Sequence, residues 1–503
     1  MKRVLIANRG EIAVRIIRAC REEGLESVAV YSEADARSSH VVAADAAVEI
    51  GPAPAADSYL KIDRIIDAAR TAGADAIHPG YGFLAERAEF AEAVENAGLV
   101  FVGPPAQAIR AMGEKTEARR RMSAGGVTIV PGTTAPVADS DEAARTASNI
   151  GYPVLLKAVA GGGGKGMRRV DAEEEMRAAF QQASSEALKS FGNGDVYIER
   201  FVERPRHVEI QVLADGHGTT VHFGERECSV QRRHQKLIEE APSPAVDPEL
   251  RERIGATAVR AAEAVGYVGA GTVEFLLGPD GEFYFLEMNT RIQVEHPVTE
   301  MVYGVDLVRQ QLRIAAGGRI DVADVSKHPR GHAIECRITS EDPFDGFLPA
   351  TGTVRYLKVP TGPGVRWDGG IATGENVGLF YDPLLAKLIV WDKTRPAAIA
   401  RMGRALDELA IVGIATSQPF HRRVMRHQPF LDGLYDIGYL EAHATTLLGD
   451  EEPLADMERI AVAAALAEHG RRHTAVTVRL RHEPRDGTGD SPWLRAARLD
   501  GRR

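Results

Sequence analysis

From the N-terminus to about residue 112, short apolar runs alternate with stretches of helical spacing. Residues 4–7 read as a strand, and Asn8-Arg9-Gly10 turns the chain into a helix over about 11–23. Residues 27–31, 74–78 and 99–102 are further apolar runs of strand length. Strands that alternate with helices predict a parallel, doubly wound α/β sheet. The first turn lacks the G-x-G-x-x-G pattern, so dinucleotide binding is not expected. His78-Pro79-Gly80-Tyr81-Gly82 follows a strand end, where such sheets hold ligands, although a plain turn has the same composition.

The pattern changes over residues 129–203. Residues 153–158 form an apolar strand that carries one lysine, Lys157. A glycine run follows, Gly161-Gly162-Gly163-Gly164-Lys165-Gly166-Met167, and then a short strand at 168–170. No Ser or Thr follows Lys165 and the loop joins two strands, so it is not a Walker loop. Its backbone N–H groups can still fold over phosphates, whereas a surface turn would order four glycines for no return. Residues 195–202 are strand-like. Residues 207–212 alternate strictly, which puts His207, Glu209 and Gln211 on one face. The charged run 225–236 reads either as a solvated loop or as cations for an anionic substrate. Helices are predicted over 251–265, 305–316 and 398–410, a strand over 331–338 with Glu335 and Arg337 on one face, and a small antiparallel sheet over 355–390.

The densest chemistry lies in a predicted hairpin. Residues 271–277 form one strand, Gly278-Pro279-Asp280-Gly281 the turn, and residues 283–289 the return strand. Symmetric closure would put Glu274 opposite Phe285, with Glu274 and Glu287 as diagonal neighbours about 7–8 Å apart. Two carboxylates so placed repel unless a cation lies between them, and Mg²⁺ bridging to nucleotide phosphates is the natural occupant. Asn289 lies two residues beyond Glu287 on the same face, and Arg291, Gln293 and Glu295 follow.

Composition narrows the class. The 503 residues, 44% hydrophobic and 26% charged, fit a soluble multidomain protein. A net charge of −10 argues against nucleic acid as the main partner. Cys20, Cys228 and Cys336 are far apart and suit a reducing compartment, so a cytoplasmic enzyme with no membrane segment is expected. From Gly470 to Arg503 nine Arg stand against four acids, which reads as a partly disordered tail after an Ala-rich helix over 451–468.

Taken in order, IANRGEIAVRIIRA, HPGYGFLAE, GGGGKGM, RHVEIQVLAD, QRRHQK, GTVEF, EMNTRIQVEHPVTE and GHAIECRI resemble the biotin carboxylases, a family of ATP-grasp enzymes. The resemblance covers residues 2–442. It implies an N-terminal doubly wound domain over 1–112, a linker over 113–128 and an ATP-grasp lid over 129–203. A central ATP-grasp domain over 204–330, a C-terminal α+β antiparallel sheet region over 331–446 and a tail over 447–503 would follow. The implied reaction is ATP- and bicarbonate-dependent carboxylation of biotin through carboxyphosphate. It is the first half-reaction of an acetyl-CoA, other acyl-CoA or keto-acid carboxylase.

The resemblance also implies roles for individual residues. Lys115 and Lys157 would neutralise ATP phosphates under a flap at Gly163 and Gly164. Glu199, Arg200, Phe201 and Val202 would supply the adenine edge. Met167, His207, Gln231, His234 and Leu276 would complete the nucleotide site. Glu274, Glu287 and Asn289 would hold Mg²⁺ or Mn²⁺. Arg291, Lys236, Gln293 and Val294 would bind bicarbonate. Glu295 would be its general base, with burial or neighbouring acids raising its pKa. Arg337 would stabilise charge on the biotin ureido oxygen, with Tyr81 nearby.

The loop at 342–348 is slightly longer than usual in the family and would alter the biotin entrance. No Met-Lys-Met occurs, so a separate biotin carboxyl carrier protein and a carboxyltransferase are expected as partners, with the enzyme itself a homodimer. A carboxylate–amine ligase and an inactive nucleotide-binding scaffold are the rival readings.

Overall fold

The computed structural model describes residues 1–160, 166–320 and 328–449, together with Ala463, Ala464, Leu466, Ala467 and His469, which are helical. Gly163 and Gly164 of the expected flap, and nearly all of the tail, lie outside the described residues. Residues Met1–Leu448 form one compact unit and Gly449–Arg503 a second.

The N-terminal sheet is parallel, with strands β1 (Arg3–Ile6), β2 (Glu26–Ser32), β3 (Ala46–Gly51), β4 (Ala76–His78) and β5 (Val100–Phe101) in the order β3-β2-β1-β4-β5. Val4, Leu5 and Ile6 are fully buried, and the helix Gly10–Glu22 packs Ile12, Ile16 and Ile17 against the sheet. The sequence pattern missed β3. It is an edge strand that buries only Ile50, so it carries little apolar signal. Asn8, just after β1, donates to the carbonyls of Pro79 (2.8 Å) and Tyr81 (2.7 Å), which ties the His78–Gly82 turn to the sheet's C-terminal end.

A three-stranded antiparallel sheet follows, with β6 (Val154–Ala158) between β7 (Met167–Val170) and β8 (Val196–Arg200). The stretch expected as a linker contains the helix Lys115–Ala124.

The central sheet has eight antiparallel strands. Its first six are β13 (Phe283–Asn289), β12 (Gly269–Leu277), β9 (Arg206–Ala214), β10 (Thr220–Arg232), β11 (Gln235–Ala241) and β14 (His332–Thr339), in that order. The strands Leu384–Asp392 and Val365–Gly369 complete it.

Three expectations are corrected here. Residues 225–236 are not a solvated loop but the two arms of a hairpin, turned by Arg233 and His234 at φ 47° and 66°. Their charges face partners within the sheet, so Glu225, Arg226 and Glu227 are all buried. Residues 355–390 do not form a sheet of their own, because their two longest strands extend the central one. The Glu274 hairpin does not close symmetrically. Glu274 pairs directly with Glu287 and Phe275 with Phe285, so Leu286 is the extra residue of a bulge. Among the described residues no helix is long and apolar enough to cross a membrane.

Candidate active site

The bulge brings two carboxylates face to face. Glu274 and Glu287 are cross-strand partners, and on the other side Glu274 pairs with Glu209 of β9. Lys236 rises from β11 into this group of acids. Its Nζ lies 2.6 Å from Glu209, 2.9 Å from Glu274 and 2.6 Å from Glu295. Burial alone would lower the Lys236 pKa, but the three carboxylates raise it well above the ordinary lysine value.

Glu295 corrects an expectation. Burial does push its pKa up, yet Lys236, Arg337 and Arg226 outweigh that and hold it well below the usual carboxylate range. As arranged here, Glu295 is an anion tied down by cations.

The phosphate-type cations gather nearby. Lys157, buried on β6, donates to Glu199 (2.8 Å), and Arg119 binds the other oxygen of the same carboxylate. The Glu199 side chain is therefore taken up by two cations. The Lys115 pKa is lowered by burial and by the neighbouring Lys157, against pulls from Glu287 and Glu199. The helix Lys115–Ala124 thus brings Lys115 and Arg119 close to Lys157 and Glu199 of the three-stranded sheet. His234, at the tip of the β10–β11 hairpin, titrates low through burial and the nearness of Lys157, His207 and Lys115. His207 Nε2 lies 2.9 Å from Glu274, and that carboxylate outweighs burial to raise the imidazole pKa.

The remaining nucleotide residues take different positions. Leu276 is half-buried and opposite His207, Gln231 opposes Lys236, and Met167 opposes Lys157. Phe201 and Val202 are half-buried, with Arg169 stacked 4.4 Å over the Phe201 ring. Arg200 instead donates to the Tyr284 hydroxyl (2.6 Å), away from the lysines.

A further cluster of charged and polar residues follows β13. Arg291 is held by Glu86 (2.9 Å) and Asn289 (3.0 Å), which leaves N–H groups of its fork unused by them. Gln293 donates to Glu274 (2.8 Å) and accepts from Arg226 (3.1 Å). The Val294 carbonyl accepts from Lys387 (2.9 Å). Arg337 bridges Glu239 (2.6 Å) and Glu295 (3.0 Å). The Tyr81 hydroxyl donates to Glu11, beside a cavity of about 250 Å³ that Asn8, Arg9, Tyr81, Tyr381 and Asp382 help to line.

Sequence reasoning missed Arg226, Glu86, Arg119, Glu239 and Lys387 as members of this network.

A divalent cation fits between Glu274 and Glu287. The donors are hard oxygens on adjacent strands, and the Glu287 pKa is raised by burial and then by Glu274, an excess of negative charge that a cation relieves. Two other ligand-like groups, His207–Glu209–Glu274 and Glu209–Cys228–Glu295, occur among the described residues. Lys236 Nζ already pairs with the carboxylates of both, so a cation stands at each group without a metal.

A lid sheet, paired lysines, an acidic hairpin and a terminal Arg–Glu cluster define an ATP-grasp ligase. Family models support this over nearly the whole compact unit: Biotin carboxylase, N-terminal domain at residues 1–109, Carbamoyl-phosphate synthase L chain, ATP binding domain at 114–323, and Biotin carboxylase C-terminal domain at 335–442. The chain belongs to the biotin carboxylase family and is an ATP-dependent ligase. Biotin carboxylase 1 of Bacillus subtilis is 52% identical over 444 residues, 88% of this chain and 99% of that protein. The biotin carboxylase of Haemophilus influenzae is 52% identical over 442 residues, 88% of this chain and 98% of its own length. The biotin carboxylase domain of Hydrogenobacter thermophilus 2-oxoglutarate carboxylase, solved as a dimer with MgADP, ADP and bicarbonate, superposes with a TM-score of 0.85 at 47% identity. That match covers 90% of this chain and 99% of the solved one.

Proposed function

We propose that this chain is the biotin carboxylase subunit of a multi-subunit carboxylase and acts on biotin held by a separate carrier protein. The observation that carries the reading is Lys236 joined to Glu209, Glu274 and Glu295 within reach of Arg291 and Arg337. That arrangement suits a small anion handed from ATP to a neutral acceptor.

ATP lies between the two sheets with Lys115 and Lys157 on its phosphates. Gly163 and Gly164, outside the described residues, belong to the ATP site on this reading, Glu199 to Val202 sit at the adenine edge, and Met167, His207, Gln231, His234 and Leu276 line the site. Glu274, Glu287 and Asn289 would hold Mg²⁺ or Mn²⁺, which would neutralise charge on the phosphates. Arg291, Lys236, Gln293 and the Val294 backbone hold bicarbonate. When bicarbonate takes a share of Lys236, Glu295 loses its strongest partner and gains basicity, which lets it accept the bicarbonate proton. A bicarbonate oxygen then attacks the γ-phosphorus and ADP leaves. The resulting carboxyphosphate gives its carboxyl group to a biotin ureido nitrogen, and the proton of that nitrogen leaves with the released phosphate. Arg337 stabilises the charge that develops on the ureido oxygen, and Tyr81 lies beside the biotin approach.

The domain limits follow the same reading: 1–112, a linker to 128, a lid to 203, a central domain to 330, a C-terminal domain to 446 and then a tail. A homodimer, a carboxyltransferase partner and a cytoplasmic location complete it, the last resting on three buried free cysteines. The test is ADP release with bicarbonate, Mg²⁺ and free biotin or a biotinylated carrier. Stimulation by biotin and dependence on bicarbonate are expected. Stimulation by an amine in place of biotin would establish the rival ligase reading.

A further inference from the structure

Behind Arg337 lies a second acidic pair that the reaction above does not use. Glu239 of β11 and Glu335 of β14 are directly opposed in the ladder, and both are fully buried. Glu239 Oε1 accepts from Arg337 Nε at 2.6 Å. Its Oε2, and both oxygens of Glu335, are buried with no hydrogen-bond partner among the described residues.

The nearby cations point elsewhere. Arg337, two residues along β14 from Glu335, reaches from Glu239 to Glu295. Lys387, opposite Arg337 on the next strand, donates to the Val294 carbonyl at 2.9 Å and lies 3.2 Å from Glu11. The strand position opposite Glu335 on that side is Ile389. From the helix packed over this face, His296 turns Nδ1 to the Gln293 carbonyl at 2.7 Å and titrates well below the ordinary histidine value. His421, from the helix Gln418–Val424, binds the Arg337 carbonyl and titrates low as well.

Two buried carboxyls side by side do not both ionise unless a cation binds each of them directly, and only Glu239 has such a partner. The electrostatics agree with the geometry. Burial, then Glu239 and Glu295, push Glu335 well above the carboxylate range against Lys387 and Arg337. Burial and Glu295 lift Glu239 to about 7 against Arg337.

We propose that Glu335 is a positioning residue that keeps a proton at neutral pH and shares it with Glu239. One carboxylate, not two, then holds the back of Arg337, and the guanidinium stays extended toward Glu295 and the acceptor. A second charge behind Arg337 would draw it back into the sheet and away from both. Loss of the shared proton therefore removes acceptor carboxylation at alkaline pH before it affects nucleotide binding. The inference rests on the role proposed above for Arg337.

The test uses Glu335→Gln, which replaces the shared proton with permanent amide protons. Infrared difference spectra of wild type against E335Q at neutral pH are expected to show the C=O stretch of an un-ionised carboxyl group in the wild type alone. In the pH profile of kcat/KM for biotin, the wild type is expected to fall about tenfold per pH unit on its alkaline side. E335Q is expected to lack that limb, while bicarbonate-dependent ATP hydrolysis without biotin has the same profile in both. Glu335→Met, also uncharged, serves if E335Q folds poorly and is expected to lose the same limb. An unchanged infrared band, or an identical alkaline limb in wild type and variant, overturns the inference. A wild type that does not carboxylate biotin overturns the functional reading instead, and the infrared result still decides whether the proton is there.

Discussion

Removing the Arg226 guanidinium tests how the centre is held together. Arg226 is fully buried and donates to Glu209 (2.5 Å), Gln211 (2.7 Å), Thr272 (2.9 Å), Thr299 (3.0 Å) and Gln293 (3.1 Å). At its separation from Glu209 the Coulomb attraction is roughly 7 kcal/mol for an effective dielectric constant of about 20, and desolvation of both ions offsets much of it. Breaking a buried pair by removing one partner typically costs about 3–5 kcal/mol. Here Lys236 still holds Glu209, which favours the lower end, near ~3 kcal/mol. Gln211 cannot turn to recover its lost bond, because its amide already donates to Val212 and Gly271, and that adds about 1 kcal/mol. Arg226→Met is therefore expected to destabilise the chain by about 4 kcal/mol in urea unfolding. Glu209→Gln added to it should recover about half of that, because the stranded carboxylate is the main cost. Gln293 also loses its anchor, so the bicarbonate KM should rise about tenfold while the ATP KM stays within about twofold. A loss below about 1 kcal/mol, or a double variant whose cost is the plain sum of the two, would refute the reasoning.

Three further outcomes are expected. Glu287→Gln relieves repulsion with Glu274 and should leave the fold intact, yet raise the Mg²⁺ needed for half-maximal ATP hydrolysis by about tenfold or more, as a metal-titrated ADP assay would show. Arg337→Ala should lower biotin carboxylation by about 10²–10³-fold while bicarbonate-dependent ATP hydrolysis without biotin falls much less, measured by paired product assays. Glu240 offers a pH signature away from the site: burial raises its pKa, but His332 and Arg395 outweigh that and bring it down to about 2. A depressed carboxylate contributes stability above its unfolded pKa of about 4.3 and loses it as pH falls toward about 2, worth roughly 3 kcal/mol in total. Thermal midpoints of wild type should therefore drop more steeply than those of Glu240→Gln across that window, and parallel curves would count against the pairing.

The sequence spoke clearly where side-chain pattern and chemistry coincide. Glu274, Glu287 and Asn289 stand at period two on an apolar hairpin, and the structure puts them on one face. Lys157 stands alone in an apolar strand and is a buried cation. What stayed hidden was charge that neutralises charge. Glu225, Arg226 and Glu227 stayed undecided between a solvated loop and an anion-binding set, because a single chain does not reveal that Arg251 from the helix Pro248–Glu263, and Glu209 and Arg206 from β9, await them. The bulge at Leu286 was equally silent. One residue of slippage keeps the apolar pattern plausible, yet it changes Glu274 and Glu287 from diagonal to direct partners. The Glu295 pKa failed for the same reason as the charged run, since its direction depends on three cations contributed by β10, β11 and β14.

Those cations explain how so acidic a centre can serve anionic substrates. Lys157 has Glu199, Lys236 has Glu209, Glu274 and Glu295, Arg291 has Glu86, and Arg337 has Glu239 and Glu295. An incoming phosphate or bicarbonate therefore meets cations that are already desolvated and aimed, and it gains them by exchange with a carboxylate rather than from water. The displaced carboxylates are the groups on which the proposed mechanism calls, Glu274 as a metal ligand and Glu295 as a proton acceptor. In that mechanism, substrate binding and activation of the base are one electrostatic event centred on Lys236. Without bicarbonate Glu295 remains a tethered anion, so the proposed mechanism predicts slow ATP hydrolysis until the one-carbon substrate is added.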